Sequence, residues 1–405
     1  MNRVDHRVAA DRGGLERGAL DAIVVGAGIV GSALALGLHR RGLDVAVVDA
    51  APPARWRAEA PDLRVYAIAP DSEALLAHLG VWPAVRASRV QPYVAMQVWD
   101  AGGGAPLRFD APALGVPRLG HIVEHGLLVD RLQAALGSAG VTIHASPLET
   151  VDEAADAVTA VLADGTRLRA RRLFGADGAN SAVRGLARIP VDTRDYAAKG
   201  VVAYLRSARS HAQTCWQRFL PTGPLALLPC ADGRVSIVWS LPDDEARRLV
   251  DVPAAQFDAE ITRASDRVLG DLTLDSPRVA FPLKRQVATR MRQGAIALLG
   301  DAAHVVHPLA GQGVNLGLRD VAELLDGVDG AATRRRPLLS ESVLLRWARR
   351  RHSENALAAR AFDGIDRVYS NAALPAVALR GWALAAANLP PINRLLWGHA
   401  AGGAR

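Results

Sequence analysis

The residues most suited to chemistry are three glycines and an aspartate near the start of the chain. Gly26, Gly28 and Gly31 follow an apolar run that predicts a buried strand, and Asp49 ends a second such run. Gly26 permits a tight turn, Gly28 lets a pyrophosphate approach the backbone, and Gly31 lets the following helix pack on the strand. The N-terminus of that helix attracts phosphates, and Asp49 is placed to accept hydrogen bonds from ribose hydroxyls. This βαβ unit predicts a dinucleotide site, and the acidic Asp49 favours FAD or NAD over NADP.

Two further motifs each join a short apolar strand to an acidic turn and a helix. The first contains Asp177, and the second contains Gly300 and Asp301. A glycine-rich loop follows Asp301, and a helix is predicted to begin near Gly313. The three motifs together predict one cofactor site built from distant parts of the chain. Asp177 and Asp301 could instead be ordinary turn and helix-cap residues, and the residues alone leave that alternative open.

In order and separation, the three motifs resemble those of the class A flavoprotein monooxygenases, which share the para-hydroxybenzoate hydroxylase fold. Five other segments resemble the ubiquinone-biosynthesis hydroxylases within that family, at residues 62–68, 120–124, 219–229, 281–283 and 307–320. The resemblance extends over about residues 20–400. It implies an α/β fold with a Rossmann-like FAD-binding domain, an inserted β-sheet substrate domain and C-terminal helices.

The same resemblance implies which residues hold FAD. Asp301 is expected to bind the ribityl chain, Asp177 to lie near the pyrophosphate, and Arg64 to line the cofactor groove. His125 stands where this branch more often has asparagine. Backbone N–H groups of the glycine-rich loop would stabilise the negative charge of the reduced flavin. The full predicted set is Gly26, Gly28, Gly31, Asp49, Arg64, His125, Asp177, Gly300, Asp301, Pro308, Gly311, Gln312, Gly313, Val314 and Asn315.

The activity that the resemblance implies is hydroxylation of an aromatic ring. FAD takes a hydride from NAD(P)H and forms a C4a-hydroperoxide with O2, which inserts one oxygen atom into a prenylated phenol of ubiquinone biosynthesis. The protein must exclude water, because an exposed hydroperoxide decays. Three alternatives stay open: an FAD-dependent reductase or dehydrogenase on the same fold, a hydroxylase of another aromatic secondary metabolite, and an FAD-bearing structural subunit of a biosynthetic complex.

The sequence assigns no catalytic acid or base. The candidates by residue type and location are His304, His307, Tyr196 and Tyr204. Alternating segments between residues 190 and 283 predict strands of a sheet that covers the flavin ring. Apolar side chains of that sheet are candidates for the substrate pocket, although an aromatic residue in a strand is more often core. The pocket candidates are Phe219, Leu227 and Phe281.

Because the first and third motifs must meet at one cofactor, the FAD-binding domain is expected to be discontinuous. It is predicted to comprise residues 21–90, 111–185 and 284–330. The substrate domain is predicted to comprise residues 91–110 and 186–283. A flexible tail is predicted at residues 1–20 and a helical region at residues 331–405.

The helical region combines arginine clusters at residues 334–336 and 349–351 with an apolar stretch at residues 374–397. This pattern predicts either a face that contacts a membrane or helices packed on the cofactor domain, and we favour packing. The first twenty residues lack the apolar core of a signal peptide. We therefore expect a cytoplasmic protein, with peripheral contact to the inner face of the membrane or to biosynthetic-complex subunits as a question to test.

Composition excludes other classes. Hydrophobic residues make up 50% and charged residues 22% of the chain, which argues against disorder. The net charge of +7 comes almost entirely from scattered arginines, so nucleic-acid binding is not expected. The two cysteines form no CxxC pair, and His304 and His307 lack an obvious third ligand. No metal site is predicted.

Overall fold

The structure is a computed structural model that describes residues 19–52, 55–60, 62–155, 157–306, 312–369 and 390–402. Its strands, in chain order, are β1 Leu20–Val25, β2 Val45–Asp49, β3 Val65–Ile68, β4 Gln91–Tyr93, β5 Ala95–Asp100, β6 Leu107–Asp110, β7 Gly120–Glu124, β8 Ile143–Ala145, β9 Leu148–Glu153, β10 Val158–Leu162, β11 Arg167–Gly175, β12 Val191–Ser207, β13 Thr214–Leu220, β14 Gly223–Pro229, β15 Val235–Pro242, β16 Leu272–Leu274, β17 Val279–Ala288, β18 Arg292–Gln293, β19 Ile296–Leu298 and β20 His304–Val305. Its helices are α1 Ile29–His39, α2 Pro70–His78, α3 Trp82–Ser88, α4 Ala111–Leu114, α5 His125–Ser138, α6 Ala182–Leu186, α7 Asp243–Asp251, α8 Ala254–Ala264, α9 Gln312–Thr333, α10 Glu341–Tyr369 and α11 Pro390–Ala400.

A mainly parallel sheet forms the first layer, and its strands come from three separate parts of the chain. The parallel strands follow the order β19-β11-β1-β2-β8. Helices α1, α5 and α9 contribute fully buried leucines to its core, among them Leu34, Leu128 and Leu324. The unbroken apolar sequence of β1 and β2 follows from burial of the sheet on both faces. These features confirm the predicted α/β fold with a Rossmann-like unit.

The second sheet is mostly antiparallel and runs in the order β20-β17-β12-β15-β14-β13-β5-β6, with β16 also paired to β12. Helices α7 and α8 cover one of its faces, where Phe257 and Ile261 pack on Val201, Leu227 and Ile237. Alternate residues along each strand point to the opposite face. The face that α7 and α8 leave uncovered therefore carries the other alternate side chains of each strand, such as Leu228.

A small third sheet, of order β3-β7-β4, contacts that opposite face. Ala67 and Tyr93 of the small sheet share one apolar cluster with Cys215 and Leu228 of the large one. Strand β20 also pairs with β17, and this joins the large sheet to the segment that follows Asp301. The large sheet is thus joined to the segment that carries the third motif by backbone hydrogen bonds and to the small sheet by apolar packing.

Strand pairing departs from the predicted domain boundaries at two places. Strand β4 lies within the predicted substrate segment 91–110, yet it pairs with β7 of the small sheet. Strand β17 continues the large sheet beyond residue 283, to Ala288. The predicted boundaries followed changes in amino-acid composition. Strand pairing is set instead by backbone hydrogen bonds, which continue past those positions.

Helix α10 packs on α9 through the buried side chains of Leu344 and Trp347. The predicted tail lies outside the described residues up to residue 18, and Leu20 already begins β1. The apolar stretch predicted at residues 374–397 lies outside the described residues as far as residue 389. Across the described ranges, no helix combines the length and the apolar character that crossing a membrane requires.

Candidate cofactor and active site

The first glycine-rich turn has two closely packed glycines and one open one. Gly26 has φ +104°, and a Cβ atom there would lie 2.3 Å from the Ala176 carbonyl oxygen. A Cβ atom on Gly31 would lie 1.9 Å from the Gly26 carbonyl oxygen. Around Gly28, by contrast, no described atom lies within 4 Å of such a position. The residues therefore fit a dinucleotide: two glycines close the turn, and the third leaves space for a phosphate at the start of α1.

Asp49 fixes this turn from the end of β2. Its Oδ2 accepts a hydrogen bond of 2.6 Å from the Ala27 N–H, and its Oδ1 accepts one of 2.9 Å from the Ala51 N–H. The Ala27 carbonyl in turn accepts from Ser32 Oγ at 2.9 Å and from Gln133 Nε2 at 2.8 Å. Asp49 thus orders the phosphate-binding turn directly. Its contact with a ribose stays a prediction.

The second motif lies against the first, because a Cβ atom on Gly26 would also lie 2.8 Å from the Asp177 nitrogen. Asp177 Oδ1 accepts a hydrogen bond of 2.6 Å from Ser181 Oγ, and Oδ2 accepts one of 3.1 Å from the Val183 N–H. These bonds order the start of α6, which is the cap role that the sequence left open. Arg184 then donates to the Ala302 carbonyl at 2.9 Å and joins the second motif to the third.

The third motif turns sharply at Gly300, which has φ +56°, and exposes the side chain of Asp301. The surrounding protein raises the pKa of the Asp301 carboxyl by desolvation, and the charges of His304 and Arg64 partly oppose that shift. Desolvation also raises the pKa of Tyr66, against the lowering effect of Arg64, while Asp301 raises it further. The structure therefore brings Arg64 and Asp301 to one region, as their predicted roles require.

His125 closes the same region from the first residue of α5. Its ring lies 5.7 Å from that of Tyr66, edge to face, and its backbone N–H donates to the Arg64 carbonyl at 2.9 Å. Burial lowers the pKa of His125, and the nearby positive charge of Arg64 lowers it further. The imidazole is therefore neutral at pH 7. A neutral imidazole has one hydrogen-bond donor and one acceptor, and the contact of His125 with FAD stays a prediction.

The glycine-rich loop after the third motif is described only in part. His307, Pro308 and Gly311 lie outside the described residues. Gln312 begins α9, Gly313 has open space around it, and Val314 is buried.

Asn315 is also buried, and its amide faces the chain between β3 and α2. Its Oδ1 accepts from the Ala69 N–H at 3.0 Å, and its Nδ2 donates to the Ala67 carbonyl at 2.8 Å. The Asn315 side chain therefore holds α9 against the segment that follows β3. The contact of its backbone N–H with the flavin stays a prediction.

The catalytic candidates differ in their surroundings. Tyr204 donates a hydrogen bond of 2.7 Å to the Asp62 carbonyl, and Arg234 lies 4.4 Å from its ring centre. Burial raises the pKa of Tyr204, so its phenol stays protonated. Tyr196 is half-buried, with Arg194 at 5.0 Å from its ring centre. Tyr204 thus connects the large sheet to the Arg64 segment, and its hydroxyl is already engaged.

The pocket candidates do not share one place on the large sheet. Leu227 is fully buried beneath α7 and α8, on the face turned away from the small sheet, which corrects its prediction as a pocket residue. Phe219 packs on Val98 and Leu107 at the end of the sheet opposite β20. Phe281 lies on β17, and its ring occupies the space that a side chain on Gly200 would take. Of the three, only Phe281 belongs to the strand that pairs with β20, and that pairing is made further along β17, at residues 286 and 287.

The sequence analysis missed a buried polar network centred on Asp320. Its Oδ2 accepts from the Gly300 N–H at 3.0 Å and contacts His304 Nε2 at 2.6 Å. Its Oδ1 accepts from Arg351 Nε at 2.7 Å and from Asn355 Nδ2 at 3.1 Å. Burial alone would raise the pKa of Asp320, but His304 and Arg351 outweigh it and lower the pKa to about 2. The carboxylate is therefore ionised at pH 7.

Within the arginine cluster at residues 349–351, Arg351 is buried while Arg349 and Arg350 are exposed. The Arg351 side chain is only 2% exposed, whereas that of Arg350 is 55% exposed. Helical spacing in the sequence could have indicated this burial, because Arg351 continues the apolar face of Leu344, Trp347 and Ala348. A charge on such a face requires a buried partner.

Neither cysteine forms a disulfide, and both are buried. Over the described residues, no group of three or more His, Cys, Asp or Glu side chains is placed to hold a metal ion.

Comparisons with known proteins agree with this site. The FAD binding domain family matches residues 19–331. The 3-demethoxyubiquinol 3-hydroxylase of Escherichia coli is 39% identical over 90% of this chain and 93% of its own length. Ubiquinone hydroxylase UbiL of Rhodospirillum rubrum is 34% identical over 94% of this chain and 89% of its own length. The crystal structure of p-nitrophenol 4-monooxygenase PnpA from Pseudomonas putida shares the fold, with a TM-score of 0.76, 19% identity and coverage of 94% of this chain and 96% of that one.

Fold, motifs and relatives define an FAD-dependent monooxygenase, with FAD as its cofactor. Within that class, the chain belongs to the family of ubiquinone-biosynthesis hydroxylases.

Proposed function

We propose that this protein hydroxylates the aromatic ring of a prenylated ubiquinone precursor, with NAD(P)H as electron donor and O2 as co-substrate. The observation that carries the proposal is the pairing of β20 with β17, which brings the large sheet to the segment after Asp301, where Val287 packs on Val306 and Leu316. An apolar wall beside the flavin-binding turn suits an aromatic substrate. The names of the relatives supply the ubiquinone pathway.

When bound, FAD supplies the redox chemistry, in which electrons from NAD(P)H activate O2. The chain's own residues bind and orient it: the open turn at Gly28 and the start of α1 take the pyrophosphate, and Asp301 takes the ribityl chain. Arg64 and His125 line the groove beside them. The packed face of the large sheet excludes water from the reacting ring.

For proton transfer we retain His304 among the described candidates. Asp320 fixes its Nε2, and Nδ1 has no hydrogen-bond partner among the described residues. The contact with Asp320 fixes the ring, so Nδ1 is the nitrogen left to take part in proton transfer. Tyr204 is not retained, because its hydroxyl is bonded to the Asp62 carbonyl.

The test is oxygen labelling with the purified holoenzyme. The protein is given NADH or NADPH and 18O2, together with 3-demethoxyubiquinol or with a prenylphenol that lacks other ring oxygens. We expect one labelled oxygen atom in the product of one of these substrates, measured by mass spectrometry. NAD(P)H consumption that yields reduced but unlabelled product would support the reductase alternative. If NAD(P)H fails to reduce the bound flavin both with and without each substrate, the structural-subunit alternative gains support.

We also propose that α11 contacts the membrane surface in which such substrates dissolve. On this helix Leu395 is 71% exposed and Leu396 is 42% exposed. Trp397 packs on the apolar cluster between the small sheet and the large sheet. Exposed leucines on a helix seated at that junction are suited to shallow insertion among lipid headgroups.

Flotation with anionic phospholipid vesicles tests this contact. The holoenzyme is expected to float with the vesicles, and Leu395→Asp to reduce the floating fraction several-fold. Leu186→Asp is the control, since Leu186 is similarly apolar and 40% exposed on α6. Absence of flotation, or equal flotation by both variants, would remove α11 as the contact.

A further inference from the structure

Helix α10 contributes three polar side chains to one residue of α9. The Trp347 indole N–H donates to the Asp320 carbonyl at 2.9 Å, and Arg351 and Asn355 both bond to the Asp320 carboxylate. The three residues are spaced four apart, so they lie on one face of the helix. The same face of α10 that carries the apolar contacts of Leu344 and Trp347 therefore also carries the polar contacts with Asp320.

The other oxygen of the same carboxylate faces the cofactor motif. It accepts from the Gly300 N–H at 3.0 Å and contacts His304 at 2.6 Å. Gly300 is held at φ +56° and directly precedes Asp301, the residue expected to bind the ribityl chain. Asp320 therefore has one oxygen on the flavin-binding turn and the other on α10.

The position of α10 in the chain makes this connection informative. The match to the FAD binding domain family ends at residue 331, whereas α10 begins at Glu341. A buried arginine needs a paired anion, and a buried carboxylate with several donors needs all of them. Without Arg351, the Asp320 carboxylate would lose a cationic partner that is hydrogen-bonded to it at 2.7 Å, and its ionised form would be stabilised less. A less stabilised carboxylate holds the Gly300 N–H less firmly, so the turn would loosen.

We propose that Arg351 and Asn355 are positioning residues for FAD: through Asp320 they hold the Gly300–Asp301 turn and the His304 ring in the geometry that binds the cofactor. Helix α10 thereby belongs to the cofactor site, although none of its residues is assigned a direct contact with FAD. The inference rests on FAD as cofactor and is independent of which substrate is hydroxylated.

The test compares neighbouring arginines in the full-length holoenzyme. Arg351→Met, Arg351→Lys and Asn355→Ala are measured against Arg350→Met. Arg350 is on the same helix and pairs with Glu323 of α9 at 2.9 Å, but it is largely exposed. The measurements are the FAD dissociation constant from flavin fluorescence, the visible absorption bands of the bound flavin, and thermal unfolding with and without added FAD.

We expect Arg351→Met to weaken FAD binding at least tenfold, to shift the flavin bands and to reduce the rise in Tm that FAD produces. Arg351→Lys should recover part of the affinity, and Arg350→Met should stay within twofold of the wild type. Arg351→Met with a lower Tm but unchanged FAD affinity and spectrum would overturn the proposal, because its role would then be structural only. If Arg351→Met does not fold, Asn355→Ala and Arg351→Lys decide: unchanged FAD affinity in both would overturn it equally.

Discussion

The turn at residues 26–31 and the turn at Gly300 serve the same cofactor, but they are stabilised in different ways. The first is held mainly by its own strand, helix and following strand, with Asp49 on the Ala27 N–H, and Gln133 of α5 adds one bond to the Ala27 carbonyl. The second is held by Asp320 from α9, which in turn depends on Arg351 and Asn355 of α10. We call the turn at residues 26–31 the local turn and the turn at Gly300 the assembled turn. FAD binding at the local turn should be lost mainly through changes in its own residues. At the assembled turn it should also be lost through changes far along the chain.

The largest expected effect is at the centre of the assembled turn. Asp320→Asn removes the buried anion of Arg351 and leaves it only the half-exposed Glu354, and loss of one partner of a buried pair costs about 3–5 kcal/mol. We expect a loss of that size in the free energy of unfolding at pH 7, measured by urea denaturation. Asp329→Asn is the control, since Asp329 pairs with Arg41 at 2.6 Å on the exposed side of α9 and should cost under about 1 kcal/mol.

The same variant predicts a pH dependence with a defined sign. The folded-state pKa of Asp320 is lowered to about 2, from an ordinary value of 3.8. Its stabilising contribution is therefore fully present above the ordinary pKa and is lost as the pH falls towards 2. The difference in unfolding free energy between wild type and Asp320→Asn should shrink by about 2 kcal/mol between pH 6 and pH 2. A constant difference over that range would mean that the charge of Asp320 does not stabilise the turn.

The next effect separates packing from cofactor contact within the local turn. Gly31→Ala places a Cβ atom 1.9 Å from the Gly26 carbonyl oxygen, so the apoprotein should lose about 1–3 kcal/mol or more. Gly28→Ala meets no described atom within 4 Å and should leave the stability of the apoprotein within about 0.5 kcal/mol. Titration with FAD should nevertheless show at least tenfold weaker binding for Gly28→Ala. Normal affinity in this variant would contradict the placement of the pyrophosphate beside Gly28.

What the sequence could predict follows the same division. Gly26 and Gly31 act on neighbours within one βαβ unit, so their spacing was enough to infer the tight turn and the close packing. For Asp49 the spacing predicted a ribose contact and not its hydrogen bond with the Ala27 N–H. Helical spacing can place Arg351 on the apolar face of α10, but it does not identify Asp320, on another helix, as its partner.

Leu227 illustrates a second kind of limit. Strand alternation predicts two faces, but only the packing of α7 and α8 shows that Leu227 lies under helices while Phe281 lies on the other face.

A smaller effect is expected at Asp301, where stability and binding should move in opposite directions. Desolvation raises the pKa of its carboxyl, so the ionised carboxylate that is present at pH 7 costs the folded apoprotein free energy. Asp301→Asn removes this cost, and the Tm of the apoprotein should be equal or higher at pH 7. FAD affinity should fall about tenfold, or about 1.4 kcal/mol, because the ribityl hydroxyls lose a charged acceptor. A variant that loses apoprotein stability would indicate that Asp301 is chiefly a turn residue.

The smallest effect tests whether the large sheet supports the Arg64 segment. Tyr204→Phe removes the hydrogen bond of 2.7 Å to the Asp62 carbonyl and keeps the ring under Arg234. The unfolding free energy should fall by about 1 kcal/mol, the usual net value of one hydrogen bond. FAD affinity should change less than threefold, because Asp62 also orders this segment through the Arg64 and Gly126 N–H groups at 2.9 and 3.1 Å. If Tyr204→Phe instead weakens FAD binding as strongly as Asp320→Asn, the Arg64 segment also depends on a distant strand, and the local turn at residues 26–31 would be the exception in this site.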